Sequence, residues 1–229
     1  MVKKAISLLV YRKKSAVLVL LFISVAVFLL QNIGPLFDSV SKKTFEKGTD
    51  AYGRQHATFF NITAEQIEQM QIYPLMDKVG IIENYGVYSL ADYGQMLTFG
   101  HFDKEAQELG RIKIVEGALP ENKNEVALEA HLCSLPSEQV LKVGDILRVK
   151  TMQGEISFTV CGFIESYTGL WSSPDVQIPG INDYPQCLLL DDRVLGGEKT
   201  QSVIFCLETA NQVVRPDQLI LQLSNAIGD

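Results

Sequence analysis

Residues 141–164 read LKVGDILRVKTMQGEISFTVCGFI, and their periodicity decides how the rest of the chain is read. Leu147 and Val149 alternate with Ile146, Arg148 and Lys150, while Ile156, Phe158 and Val160 alternate with Ser157, Thr159 and Cys161. Period-two alternation on both sides of Gln153-Gly154 predicts a β-hairpin with one buried face. Gly144-Asp145 supplies the turn that opens it, since glycine tolerates positive φ and an aspartate side chain bonds its own backbone.

Just upstream lies EGALPENKNEVAL, residues 116–128, with acids at Glu116, Glu121 and Glu125 and another at Glu129. In EVALE the alternation places Val126 and Leu128 inward and Glu125, Ala127 and Glu129 outward. The stretch therefore reads as a turn and a solvated strand edge leading into the hairpin, not as a carboxylate cluster. Further upstream, ATFFNI (57–62) is aromatic and β-branched enough for a strand. It runs into Thr63-Ala64-Glu65-Gln66, a capping box that starts a short helix with Ile67 and Met70 inward, ending before Pro74. VGIIENYGVYSL (79–90) and GQMLTFGHF (94–102) are strand-like. A short helical piece is expected around His131–Leu135 and a long loop over 165–185. After them come CLLL (187–190), a short helical DDRVLGG, the strand SVIFCLE and a closing helix from about Pro216. Leu219, Ile220, Leu223 and Ile227 give that last helix an apolar stripe. The order predicts an α+β domain, one sheet with helices on one face, holding a small β-rich subdomain over about 110–165.

The N-terminus has a different character. Ser15 to Leu30, SAVLVLLFISVAVFLL, carries no charge, and Gln31-Asn32-Ile33 extend it to nineteen residues. At roughly 1.5 Å per residue such a helix reaches about 28 Å, close to a bilayer's hydrocarbon thickness of about 30 Å. Ser15, Leu20, Phe22, Phe28 and Leu30 mark this anchor, which is long for a signal peptide and is followed by QNIGPLF without a small-x-small cleavage site. Lys3, Lys4, Arg12, Lys13 and Lys14 precede it, so the positive-inside rule places the N-terminus in the cytoplasm. The chain then divides into a basic tail (1–14), a transmembrane helix (15–33), an amphipathic connecting helix (34–55) and an extracytoplasmic domain (56–229). Gly34-Pro35 is a candidate hinge, because proline removes a ladder hydrogen bond and its ring crowds the preceding turn; a kinked or re-started helix is expected there. Beyond it, Leu36, Phe37, Val40, Thr44 and Phe45 recur at helical spacing.

Charge follows the same division. The chain has 20 basic and 27 acidic residues, and removing the five basic ones of the tail leaves 15 against 27, a balance of −12. So acidic an ectodomain is poorly suited to nucleic acid or an anionic membrane surface. Of the four cysteines, Cys161, Cys187 and Cys206 sit in apolar strand-like runs and read as small buried hydrophobes; no particular bridge is predicted. The sequence contains no GxxxxGK[ST], no HExxH and no GxSxG, and His56, His101 and His131 are scattered through different elements. No catalytic, metal-ligating or cofactor-binding residue is named. Asp191-Asp192 reads as a helix cap, with metal binding the lesser alternative. Trp171, beside Tyr167 and Leu170, is either a partner contact or an aromatic that anchors its loop. Asn61-Ile62-Thr63 matches the glycosylation sequon, which has meaning only in a eukaryotic secretory context.

One basic-flanked anchor, then VEGALPENKNEVALE (115–129), then LKVGDILRV and ISFTVCGFIE, resembles the MacB/FtsX-type ABC transporter permeases in their first membrane helix and extracytoplasmic domain. The residues that carry the likeness are Gly117, Pro120, Asn124, Glu125 and Val126 of the connector, and Gly144, Asp145 and Gly162 of the hairpin. Ala118 departs from it, since many relatives have arginine there. The resemblance implies a permease in the cell membrane with a cytoplasmic ABC ATPase, a second permease copy and membrane lipid as partners, and no nucleic acid. It also implies three more membrane helices after the domain; the sequence here holds no second hydrophobic span, which makes a fragment or a truncated product the expectation. The reading from a different class is a self-contained single-pass anchored binding or scaffold protein. An anchored hydrolase is the weakest, as no nucleophile and base pair stands out.

Overall fold

The computed structural model describes residues 13–134, 140–171, 184–191, 195–196, 199–207 and 216–227. Two compact units emerge, Met1–Thr49 and Asp50–Asp229. One helix, α1 (Lys13–Tyr52), fills the described part of the first unit and ends in the second. It is the single helix among the described residues long and apolar enough to cross a membrane. Leu20, Phe22, Phe28 and Leu30 are all exposed on it, as a lipid-facing surface requires. At Gly34-Pro35 the helix does not re-start but continues through Pro35. A proline costs the ladder one bond, and the hydrogen-bonded turns on either side hold the geometry across the gap. The Asn32 side chain meanwhile donates to the Phe28 carbonyl at 2.7 Å.

Among the described residues the second unit is built on one nine-stranded mixed sheet. Its strands are β1 (Ala57–Phe59), β2 (Met76–Leu90), β3 (Met96–Phe102), β4 (Ile114–Gly117), β5 (Glu125–Glu129), β6 (Ile146–Thr151), β7 (Gly154–Ile164), β8 (Cys187–Leu188) and β9 (Thr200–Leu207). The helices are α2 (Ala64–Gln71), α3 (Lys104–Gly110), α4 (Thr168–Trp171) and α5 (Pro216–Ile227), and Ala130–Ser134 forms a 3-10 turn. The hairpin forms as its alternation predicts: β6 pairs antiparallel with β7, from Ile146 opposite Thr159 to Thr151 opposite Gly154. The capping box also forms, with Gln66 N–H donating to Thr63 Oγ1 at 3.3 Å and Thr63 N–H to Gln66 Oε1 at 3.0 Å.

Strand order shows what alternation alone did not. Neighbours run β1-β9-β2-β3-β8-β5-β7-β4, and β6 pairs both β7 and the end of β2. Strands β2, β3, β8, β5, β7 and β6 thereby close a ring. A bulge between Asn84 and Gly86 allows this by bending β2, whose first part pairs with β9 while its last residues pair with β6. Inside the ring Leu90, Phe99, Val126, Leu128, Leu147, Val149, Phe158 and Val160 are fully buried together. The β-rich stretch expected over about 110–165 contains β4 to β7, which pair with one another and join the rest through β5–β8 and β6–β2.

Helices cover both faces of the sheet, which corrects the expectation of one. Val203, Phe205 and Leu207 of β9 pack with Ile67 and Met70 of α2 and Leu223 of α5. Ile204 and Cys206, which alternate with them, join Ala106 and Leu109 of α3. VIFCL is apolar at every position, as a strand buried on two sides must be. Helix α3 was not foreseen at all. Its signals are short: Asp103 accepts from Ala106 N–H at 2.7 Å as N-cap, and Arg111 closes the other end at φ 51°. The helical DDRVLGG lies largely outside the described residues, as does most of the 165–185 loop.

Candidate functional site

Of the eight motif residues, Gly117, Glu125, Val126 and Gly162 lie on β4, β5 and β7, and Pro120, Asn124, Gly144 and Asp145 lie in the segments next to them. Gly117 and Gly162 are register partners, and neither has room for a side chain. A Cβ on Gly117, at φ 74°, would stand 2.2 Å from the Cys161 carbonyl oxygen; one on Gly162 would stand 2.3 Å from that of Ala118. The connector thus lies directly on the hairpin strand. Pro120 is half-buried in the connector and Val126 fully buried beyond it. The Asn124 carbonyl accepts from Thr159 N–H at 2.7 Å. Glu125 accepts from Asn122 Nδ2 at 2.8 Å and from the backbone N–H groups of Glu121 and Asn122 at 2.9 and 3.0 Å. Those bonds, the Asn122 side chain's first, hold its carboxyl below the usual range. Gly144, at φ 97°, donates to the Val160 carbonyl at 2.8 Å, and Asp145 Oδ2 accepts from Lys142 N–H at 2.8 Å. These contacts are the interactions of a turn and a strand junction.

Glu129 overturns its expected position. It is 0% exposed, and Ala127 is as deeply buried. β5 lies between β7 and β8, with chain on both of its faces, so the alternation that sent Val126 and Leu128 into the ring sent Ala127 and Glu129 under a second layer. There the Glu129 carboxylate accepts from Tyr167 N–H and Thr168 N–H, both at 2.8 Å, and from Thr168 Oγ1 at 2.6 Å. It fixes the start of α4. No periodic signal reports this; the nearest hint was a glutamate in an otherwise apolar VALEA.

Residues 165–171 pack above that carboxylate. Trp171 lies 4.7 Å from Tyr167, 5.3 Å from Tyr184 and 6.2 Å from Phe102, ring centre to ring centre. This packing is what the loop-anchor reading expects. The Tyr167 hydroxyl donates to the Pro185 carbonyl, and burial, followed by the Glu129 charge, pushes that hydroxyl well above its usual pKa. The segment also meets a charged recess lined by Asp50, Arg111, Lys113 and Glu165. Arg111 bonds the Asp50 carboxylate. Lys113 Nζ donates to the Asp50 carbonyl at 3.0 Å and lies 3.2 Å from Glu165. α1 has no basic residue in its last turn, so these two cations from the α3–β4 connection answer its negative end.

The chemistry of the cluster is limited. His131 Nδ1 faces Ser166 Oγ at 2.9 Å and Glu129 Oε2 at 3.5 Å. A hydrolytic relay needs the carboxylate on one ring nitrogen and the nucleophile on the other, and here both meet the same atom. Among the described residues no three His, Cys, Asp or Glu side chains converge at metal-binding range. All four cysteines are free; Cys187 and Cys206 are buried and Cys161 half-buried. Lys123 lies 3.9 Å from Asp191, while Asp192 is outside the described residues. Gly34 and Pro35 lie within α1.

No family model matches the sequence, and no curated protein does. The fold is similar to solved extracytoplasmic domains of ABC-transporter proteins. One is the periplasmic region of MacB from Actinobacillus actinomycetemcomitans, at 10% identity over 75% of this chain and 77% of that one, with a TM-score of 0.44. Another is the extracellular domain of the noncanonic ABC-type transporter YknZ from Gram-positive bacteria, at 11% identity over 75% of this chain and 93% of that one, with a TM-score of 0.47.

Proposed function

We propose that this chain is the anchor helix and extracytoplasmic domain of a MacB/FtsX-type ABC transporter permease, with α1 crossing the cell membrane and its N-terminus in the cytoplasm. A separate cytoplasmic ATPase supplies the energy, and the domain relays movement to export or extraction of a lipid, peptide or drug-like substrate. A second permease copy completes the membrane unit.

The observation that carries this reading is α1 itself. Forty residues of uninterrupted helix measure about 60 Å, roughly twice the hydrocarbon thickness, and the last turn is bonded to Arg111 and Lys113. Such an arm is long enough both to span a bilayer and to act on the domain. The ordered motifs around Gly117 and Gly144 support it independently.

The test is genetic and biochemical. A reading frame that continues into three further apolar spans, beside an ATPase gene whose product co-purifies with the permease in detergent, is the expected result. A chain that binds no ATPase and extracts a single soluble partner instead would establish the anchored binding protein. Within the permease, Pro35→Ala tests the candidate hinge: transport falls if Pro35 flexes during the cycle, and unchanged transport removes that role.

A further inference from the structure

We infer that residues 165–168 form a strut that couples the last turn of α1 to the interior of the strand ring. Its outer end is the charged recess. Asp50 bonds Arg111 through its carboxylate and Lys113 through its carbonyl, and Lys113 in turn holds Glu165 twice, by the ion pair at 3.2 Å and by its carbonyl, which accepts from Glu165 N–H at 2.8 Å. Its inner end is Glu129, whose carboxylate takes the N–H groups of Tyr167 and Thr168 and the Thr168 hydroxyl. Glu129 belongs to β5, the strand whose Val126 and Leu128 are in the ring core.

The two ends differ in strength. The Asp50, Arg111, Lys113 and Glu165 side chains are between 39% and 59% exposed, so water and salt weaken their attraction. Glu129 is fully enclosed, where removing its acceptor oxygens would leave two backbone donors without partners. The recess is therefore the weaker end, and its loss leaves the Glu129 bonds alone to hold Tyr167 and Thr168. Contiguity alone does not establish coupling between two places; what it supplies here is a short path of named bonds that can be cut at either end.

The inference rests on the reading of α1 as an input arm, and it is measured without ATPase, nucleotide or substrate. Hydrogen exchange is followed on the chain in lipid nanodiscs. Asp50→Asn and Lys113→Met are each expected to speed exchange at Tyr167 and Thr168 at least fivefold, and Glu129→Gln to speed it reciprocally over 51–55. Thr168→Val removes only the hydroxyl donor and does the same more weakly if Glu129→Gln unfolds the domain. The Asp50→Asn/Glu129→Gln double variant exchanges less than the product of the single effects. Raising salt to about 1 M, where screening acts within roughly 3 Å, reproduces Asp50→Asn in the unaltered chain. Effects confined to the mutated end, or a double variant equal to that product, would overturn the strut. ATP-driven transport that failed while the coupling persisted would strike the proposed function and leave the strut standing.

Discussion

The two ends of β5 each carry a glutamate, four residues apart, and the fold uses them oppositely. Glu125 sits at the surface and ties down the turn at Glu121-Asn122. Glu129 sits at 0% exposure and organises a segment that lies 38 and 39 residues further along the chain. Residue type and strand are the same; the difference is what covers each. The first faces a connector and solvent, the second the layer formed by 165–171 and 184–186. Carboxylate spacing along a strand therefore says little about chemistry until the neighbouring strands are known.

The sharpest way to break the comparison is Glu129→Ala. It leaves the Tyr167 and Thr168 donors buried without an acceptor and should cost about 3 to 5 kcal/mol, read as a lower urea midpoint. A loss under 1 kcal/mol would mean that water replaces the carboxylate and that its burial has little consequence. Next comes Gly162→Ala on the connector side, where the new methyl meets the Ala118 carbonyl; overpacking of this kind costs about 1 to 3 kcal/mol. An unchanged midpoint would show that the connector can lift off β7 freely. Smallest is Glu125→Gln. Because the folded-state pKa of Glu125 is lowered, its contribution is present above the ordinary carboxylate range and disappears as pH falls through the lowered value. The stability gap between the unaltered chain and Glu125→Gln should therefore shrink between pH 6 and pH 3 in paired acid titrations. A gap that stayed constant would exclude a role for the charge. The Cys161 thiol, half-buried on the same side and pushed up to about 11 by burial and then by Glu125, should be alkylated at pH 8 far more slowly than Cys133, as mass spectrometry would show.

Much of the connector side was legible. Gly144-Asp145 opens the hairpin, Leu147, Val149, Phe158 and Val160 fall inward, and Thr63 and Gln66 cap α2 as read. These depend on contacts between residues at most a few positions apart or across one tight turn, so the pattern carries its own partner. The strut side was not legible. Helix α3 is only seven residues long, with an aspartate cap and little apolar periodicity to announce it. The position of Glu129 depended on Tyr167 and Thr168 returning to β5.

The sequence by itself determined the apolar anchor with its basic flank, the hairpin and its inward residues and the capped α2, because helix and strand periods and turn chemistry are local. Tertiary structure alone decided the closure of six strands into a ring through the bend of β2, the covering of both sheet faces and the burial of Glu129. Each of these follows from which distant strands pair, and the free energy of that pairing is shared across the whole core instead of being written in any one segment.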